Sequence, residues 1–143
     1  MRRFTIVGQA PGRSRNRSPF DGASGRRLWR LAGLGSYDEL ASHFRLVNVL
    51  RKFPGKLGKG DAFPRRSAGR ACRRLRLRGT ILLAGRNVAS AFGVRSGYFE
   101  WTTLRGKPCA VLPHPSGISH WWNDPRNRRR ARTFMRKLFA GVT

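Results

Sequence analysis

The fold is decided by residues 4–12, FTIVGQAPG, in which a short apolar run leads into a glycine-rich loop. A run of this kind that ends at a turn predicts a buried strand. Three further runs alternate with helical patterns. This alternation predicts a three-layer α/β/α fold, with a small, mainly parallel sheet of four strands between helices. The predicted strands are 4–7, 46–50, 80–84 and 109–112, and the predicted helices are 24–32, 36–44, 65–77, 87–92 and 125–139.

The length of 143 residues is typical of one domain, and we expect a single domain over residues 1–143. Residues 53–64 are rich in Gly, Lys and Pro, which predicts a loop. Residues 99–104 are expected to form a small β excursion that turns at 105–108. Ser36 is expected to cap the second helix at its N-terminus, with Glu39 at the capping-box position.

The charge of the chain is strongly one-sided. Thirty-one Lys and Arg residues oppose six Asp and Glu residues, which gives a formal net charge of +25. Self-repulsion at this level disfavours a compact state unless a polyanion is usually bound. Arginine, the more frequent cation, binds phosphate through two parallel hydrogen bonds. The composition therefore indicates nucleic acid as the partner. An anionic membrane surface is the main competing partner, but the sequence offers no long helix with a clean apolar face.

The compartment and the cofactors are constrained by what the sequence lacks. No apolar run approaches the roughly 20 residues that span a bilayer, and the run after Arg3 is too short for a signal peptide. We therefore expect a soluble, cytoplasmic protein, and we also expect it to be a monomer. The two cysteines, Cys72 and Cys109, form no CxxC pair. We expect them to be buried thiols, and we expect no metal and no cofactor.

Three unusual segments follow predicted strands. They are the loop Gly8–Gly12, the surroundings of Asn48, and the segment that begins at His114. In open parallel sheets, ligands bind outside the carboxyl ends of the strands. We therefore expect these distant segments to meet in one pocket.

Four motifs occur in a fixed order along the chain: GQAPG at 8–12, PFDG at 19–22, Asn48-Val49, and HPSG at 114–117. This set resembles the uracil-DNA glycosylase superfamily. It is most similar to the iron–sulfur type, whose corresponding motifs are GEAPG and PFVG. The resemblance covers nearly the whole chain, and it implies an enzyme that flips a pyrimidine out of DNA and hydrolyses its N-glycosidic bond.

The resemblance assigns a base-binding role to several residues. The glycine-rich loop lets main-chain N–H groups approach the O2 side of a flipped base. Phe20 would stack on that base, and the Asn48 amide could pair with both N3–H and O4 of a uracil-like ring. The candidate base-binding residues are Gly8, Gln9, Ala10, Gly12, Phe20, Asn48 and His114.

His114 is the first catalytic candidate. Cleavage of the glycosidic bond leaves negative charge on the departing base, and a neutral imidazole N–H directed at O2 would stabilise that anion. The segment that follows resembles the loop that enters the minor groove in this superfamily, with Ile118 as the expected wedge. The candidate DNA-binding residues are Ser116, Gly117, Ile118, Arg13, Arg15, Lys52, Arg128 and Arg129.

The sequence departs from the iron–sulfur pattern at its cluster ligands. That type requires four cysteines, whereas this chain has two. Phe53 stands where one ligand would follow the second strand, and Cys72 matches another position alone. We therefore expect no cluster.

The pattern also differs around the scissile bond. Ala10 replaces the Asp or Asn that orients water in other branches, and Gln9 replaces a Glu. Gln9, through its amide oxygen, and Asp21, the nearest acid in sequence, remain the candidates for handling water. Gly12 replaces a Tyr that blocks the C5 face of the base in strict uracil enzymes. A pocket for C5-modified pyrimidines, including modified phage bases, is therefore our hypothesis.

Three functions of different classes explain parts of the sequence. A monofunctional glycosylase explains the motifs, although lysines at 52, 56 and 59 leave a lyase activity open. A non-catalytic binder of DNA or of a modified base would explain the Gln9-Ala10 pair. A basic packaging protein would explain the charge but not the ordered motifs.

Overall fold

The computed structural model describes residues 3–11, 18–57, 60–116 and 120–140. The strands in these ranges are β1 (Phe4–Gly8), β2 (Phe44–Asn48), β3 (Lys56–Leu57), β4 (Gly60–Asp61), β5 (Thr80–Ala84), β6 (Thr102–Leu104) and β7 (Lys107–Leu112). The helices are α1 (Ala23–Leu31), α2 (Tyr37–His43), α3 (Arg65–Arg74), α4 (Arg86–Ala91) and α5 (Pro125–Ala140), and a 3₁₀ helix spans His120–Asn123. None of the helices in the described ranges has the length and apolar character needed to cross a membrane.

The central sheet has five strands, in the order β2-β1-β5-β7-β6. β1 pairs in parallel with β2 and with β5, and β5 pairs in parallel with β7. The predicted mixed α/β fold with a mainly parallel sheet is therefore confirmed. The predicted count of four strands is wrong, because β6 adds an antiparallel edge strand against β7.

The fifth strand joins the sheet through a tight turn at Arg105-Gly106. Both residues have positive φ, 51° and 76°, which are the left-handed values of a type I′ hairpin turn. The Arg105 guanidinium also donates hydrogen bonds to the carbonyl oxygens of Cys72 (2.7 Å) and Leu75 (2.9 Å). The last carbonyls of a helix lack partners within it, so these bonds stabilise the end of α3 and hold Arg105 in its conformation.

Alternate residues of the central strands face two separate hydrophobic cores. On one face, Ile6 and Leu82 pack with residues from α1, α2 and α5. On the other face, Val7 and Leu83 pack with residues from α3 and α4. This alternation has the period of two that a strand imposes, and it gives the predicted three layers.

The second strand begins earlier than the predicted 46–50. Phe44 is fully buried and pairs with Phe4, so β2 starts directly after α2 without a connecting loop. Beyond its end, the N–H groups of Val49 and Leu50 donate to the carbonyls of Gly8 (2.9 Å) and Gln9 (2.8 Å). These bonds hold the loop after β1 against the chain that leaves β2. The predicted loop 53–64 contains the short antiparallel pair β3–β4.

Candidate active site

The carboxyl ends of the four parallel strands lie along one edge of the sheet. Gly8 at the end of β1 pairs with Asn48 at the end of β2, and Ala84 at the end of β5 pairs with Leu112 of β7. Gln9, Gly85 and His114 follow these ends closely. Adjacent strands are about 4.8 Å apart, so this carboxyl edge is a strip of three spacings, roughly 14 Å, from β2 to β7.

Phe20 and Asn48 both contact the main chain at Gly8. A Cβ atom at Gly8 would lie 2.7 Å from Oδ1 of Asn48 and 2.7 Å from Cζ of the Phe20 ring. Real Cβ atoms do not approach other heavy atoms so closely, so only glycine fits here without a shift. The structure therefore brings together two of the predicted base-binding side chains, although they are 28 positions apart in sequence.

The Phe20 backbone adopts a conformation that is rare for a bulky residue. Its φ is 61°, in the left-handed region, which costs about 1–3 kcal/mol for a residue other than glycine. Gly25 in α1 permits this geometry, because a Cβ there would overlap the Phe20 carbonyl group. The preceding carbonyl, that of Pro19, accepts a 2.9 Å hydrogen bond from the Tyr37 hydroxyl. The loop is thus held from α1 and α2, and it places a half-buried aromatic ring over Gly8.

His114 has a defined hydrogen-bonding arrangement. The Ser116 N–H donates to Nδ1 of the ring at 3.1 Å, so in the neutral imidazole the proton is on Nε2. The ring packs on Gly85, where a Cβ would lie 3.2 Å from its Cδ2. The Trp122 indole N–H donates to the His114 carbonyl at 2.7 Å. The orientation of the imidazole is therefore fixed from both sides of the residue.

Arg27 of α1 connects that helix to the His114 segment. Its guanidinium donates to the Ser116 carbonyl at 3.2 Å and lies over the Trp122 ring, 4.8 Å from the centroid. Trp122 itself is buried in the first core, so it is a core residue as well as a hydrogen-bond donor to His114. The segment that carries His114 is thereby attached to the hydrophobic core.

A hydrogen bond between Gln9 and Asn87 crosses the middle of the strip. Nδ2 of Asn87, in the first turn of α4, donates to Oε1 of Gln9 at 2.8 Å. Gln9 lies after β1 and Asn87 after β5, so this bond links the part of the edge near Asn48 to the part near His114. Asn87 is a candidate polar site residue that sequence reasoning missed. Its position just after a strand, beyond Gly85, is the signal that could have identified it.

The chain was also compared with known proteins. A model of the uracil DNA glycosylase superfamily matches residues 2–139. The chain belongs to the uracil-DNA glycosylase superfamily. A search of the curated proteins finds no match. Members of this superfamily are typically DNA glycosylases that act on uracil-like bases in DNA, and the resemblance predicted from the four motifs is confirmed at this level.

The other predicted site residues differ in exposure, and several of them lie outside the described residues. Asp21 is exposed, and its charge acts on Tyr37. Burial of that hydroxyl raises its pKa most, and the Asp21 carboxylate raises the pKa further. Ala10 is half-buried and has no polar side-chain atom, while Lys52 is exposed. The predicted residues outside the described ranges are Gly12, Arg13, Arg15, Gly117 and Ile118.

The two arginines of α5 that are predicted to contact DNA differ in their contacts. Arg128 of α5 donates a 2.6 Å hydrogen bond to the Trp122 carbonyl, so it also stabilises the 3₁₀ helix that precedes α5. Arg129 is exposed on the same helix. Arg129 is therefore the better position at which to test phosphate binding without disturbing the fold.

The two cysteines are buried free thiols in the second core, on α3 and β7. Burial raises the pKa of each, to about 11. Among the residues that the structure describes, no three His, Cys, Asp or Glu side chains are grouped as metal ligands would be.

A groove of about 400 Å³ is present in the described structure, but it lies among Phe4, Thr80 and Pro108. These residues belong to the amino-terminal parts of β1, β5 and β7, so the groove is at the edge opposite the candidate active site. Its volume therefore has no bearing on the candidate base-binding residues Phe20, Asn48 and His114.

Proposed function

We propose that this protein is a monofunctional DNA glycosylase, which flips a pyrimidine out of DNA and hydrolyses the bond between the base and its sugar. The observation that carries this proposal is the Ser116 N–H bond to Nδ1 of His114. In the neutral ring this bond places the proton on Nε2, and from there the ring can donate a hydrogen bond to the base.

The reaction that this arrangement supports is heterolytic. As the glycosidic bond breaks, its electron pair leaves with the base, and the negative charge is shared with O2. A hydrogen bond from Nε2 of His114 to O2 stabilises that charge, and one oriented donor of this kind contributes about 3–4 kcal/mol. Water then adds to the cationic sugar carbon and releases a proton, which leaves an abasic site.

Base recognition in this proposal uses the contacts around Gly8. The half-buried Phe20 ring provides a stacking surface, and stacking on an aromatic side chain contributes roughly 1–3 kcal/mol per base. The Asn48 amide offers one acceptor and two donors for the edge of a pyrimidine. The close approach of both side chains to Gly8 keeps them at one point of the edge, where the main chain after Gly8 can face the O2 side of the base.

The position of the attacking water is less constrained in this proposal than the position of the base. The Gln9 amide oxygen accepts from Asn87, and a carbonyl oxygen has a second lone pair that can accept from water. We propose that Asn87 fixes the Gln9 carboxamide so that this oxygen orients the attacking water. Neither group is a strong base, so the mechanism depends on a largely dissociative transition state.

A second function, binding without cleavage, is favoured because neither Gln9 nor Asn87 carries a charge. The Gln9–Asn87 pair consists of two neutral amides, and the alternative is a protein that binds DNA or a modified base without cleaving it. Both functions predict DNA binding through the basic surface of a monomer. They differ in whether free base is released.

The substrate class is tested by measuring released base by mass spectrometry. Oligonucleotides that contain uracil, thymine, 5-hydroxymethyluracil or glycosylated 5-hydroxymethylcytosine are incubated with excess protein. Release of a C5-modified pyrimidine supports both the glycosylase and the open C5 face. Release of uracil alone supports the glycosylase and contradicts the hypothesis based on Gly12, whereas tight binding with every base retained supports the binder.

A lyase activity is tested on the same substrates with borohydride. A Lys52→Gln variant and the wild-type protein are compared for covalent trapping on the DNA. We expect no trapped adduct with either protein, because water resolves the sugar cation in the proposed mechanism. An adduct that disappears in Lys52→Gln would establish Lys52 as a nucleophile and contradict the monofunctional assignment.

A further inference from the structure

The groove at the amino edge of the sheet has features of a second binding site. It is lined by Phe4, Thr80 and Pro108, together with Arg3, Trp101 and Lys137. Its volume of about 400 Å³ is within the roughly 300–1,000 Å³ of small-ligand sites. The candidate active site is at the carboxyl ends of the same strands, so one bound group cannot occupy both places.

Trp101 is the most unusual residue of this groove. Its side chain is 51% exposed, and only Leu57 is a more exposed large hydrophobic residue in the described ranges. One side of the indole is supported by Phe134 of α5, with ring centroids 5.4 Å apart and an interplanar angle of 32°. Phe134 packs in turn against Phe99, at 5.0 Å. The indole is thus a supported aromatic platform that remains open to solvent.

The charged side chains that line the groove are positive. Arg3 and Lys137 both line the groove. The neighbouring acid, Glu100, is not among the residues that line the groove, and its carboxylate accepts a 3.0 Å hydrogen bond from the Gly97 N–H. A planar apolar surface flanked by two cations complements a planar apolar group that carries an anion.

We propose that this amino-edge groove binds one nucleotide of single-stranded DNA, with the base stacked on Trp101 and the phosphate paired with Arg3 and Lys137. Stacking on an aromatic ring and cation–phosphate pairing are the two interactions that proteins combine to hold single strands without reading their sequence. Because the groove is at the far edge, the strand in it is a second segment and not the one whose base enters the candidate active site. The protein can therefore hold two stretches of DNA at once, whether or not it cleaves either of them.

The test uses a fluorescently labelled hexadeoxyadenylate, because purines do not match the pyrimidine site proposed at the other edge. Binding is followed by anisotropy at about 0.2 M salt, where weak phosphate binding by the general basic surface is reduced. Trp101→Leu leaves the charge of the protein unchanged, so it isolates the stacking interaction. We expect Trp101→Leu to raise the dissociation constant about tenfold, which is within the free-energy range of stacking one base on an aromatic ring. We expect Trp101→Phe to retain most of the affinity.

The pairing of the phosphate with Lys137 is tested by comparing Lys137→Gln with the control Arg132→Gln. The control removes an equal charge from an exposed position on α5 that does not line the groove. Lys137→Gln is expected to weaken binding several-fold more than the control. Equal affinities for wild type and Trp101→Leu would overturn the proposal. So would a dimer in sedimentation that Trp101→Leu dissociates, because the groove would then be an interface between copies. Base release from a substrate DNA, measured separately, is expected to be unchanged in Trp101→Leu.

Discussion

The amide nitrogen of Asn87 donates a 2.8 Å hydrogen bond to the amide oxygen of Gln9, and this bond joins the ends of two neighbouring strands at the candidate active site. Other branches of the superfamily, by resemblance, place a polar side chain at the position of Ala10. In this protein the polar group nearest in sequence is Gln9, and its orientation depends on a residue from α4.

Replacing Asn87 by Ala is therefore expected to slow base release. The Gln9 carboxamide would lose the bond that orients it, and a net hydrogen bond of about 1 kcal/mol corresponds to roughly a fivefold effect. Single-turnover kinetics should show the loss in the rate at saturating protein, with DNA affinity little changed. Asn123→Ala, at an exposed site on the 3₁₀ helix, is the matched control. Equal rates for the two variants would remove Asn87 from the mechanism.

Gly8→Ala is expected to separate Phe20 from Asn48. The added Cβ would be 2.7 Å from an atom of each side chain, so at least one of them must move. We expect base release to fall by more than tenfold, and the free energy of unfolding to decrease by about 1–3 kcal/mol, as in other overpacked sites.

Gly69→Ala is the control for that substitution. Gly69 is in α3, and a Cβ there meets no atom within 4 Å, so alanine should be neutral or stabilising. Denaturant titrations of both variants measure the difference. A Gly8→Ala protein with the stability and base release of the wild type would show that the close contacts at Gly8 do not shape the site.

Cys72 and Cys109 are expected to resist alkylation in the folded protein. Burial raises the pKa of each thiol to about 11, so only about a thousandth of each is thiolate at pH 8. In an unfolded chain the value is near its ordinary 9.0. The unfolded state therefore loses these protons first as the pH rises, and the free energy of unfolding should decrease above about pH 9. Iodoacetamide labelling with and without urea, read by mass spectrometry, checks the reactivity; rapid labelling of the folded protein would contradict the burial.

Arg129→Ala is expected to weaken DNA binding and leave the chemical step intact. Its side chain is exposed on α5, and losing one phosphate contact should lower the slope of log affinity against log salt by about one. Arg128→Ala should differ, because its bond to the Trp122 carbonyl would also be lost and thermal stability should fall. Salt titrations and melting curves of both variants separate the two roles. An Arg129→Ala protein with the salt dependence of the wild type would indicate that Arg129 contacts no phosphate.

The sequence predicted the central strands well where the pattern is local. β1 and β5 are short apolar runs, and the rule that ligands bind at the carboxyl ends of strands places Gly8, Asn48 and His114 at one edge. Asn87 follows the same rule, but it was missed because the helical pattern of its own segment hides its position beside a strand end.

Other features depend on contacts between distant segments, which local patterns do not contain. The left-handed φ of Phe20 requires the close approach of Gly25, and that of Arg105 is supported by the end of α3. The predicted β excursion over residues 99–104 contains β6, but its pairing with β7 as a fifth strand of the sheet was not predicted. Arg-Gly is not a typical sequence for the type I′ turn that makes this pairing. The groove beside Trp101 is likewise lined by residues next to β6, in β7 and in α5, which only the folded chain brings together.

The most direct test of the proposed function is single-turnover base release by wild type and His114→Ala, on whichever substrate of the pyrimidine panel the wild type cleaves. Removing a donor to the developing anion should slow release by about 10²–10³-fold. The dissociation constant for the same DNA should change by less than about threefold, because the basic surface is unaltered. A His114→Ala protein that releases base at the wild-type rate, or a wild-type protein that releases none from any member of the panel, would contradict the proposed mechanism.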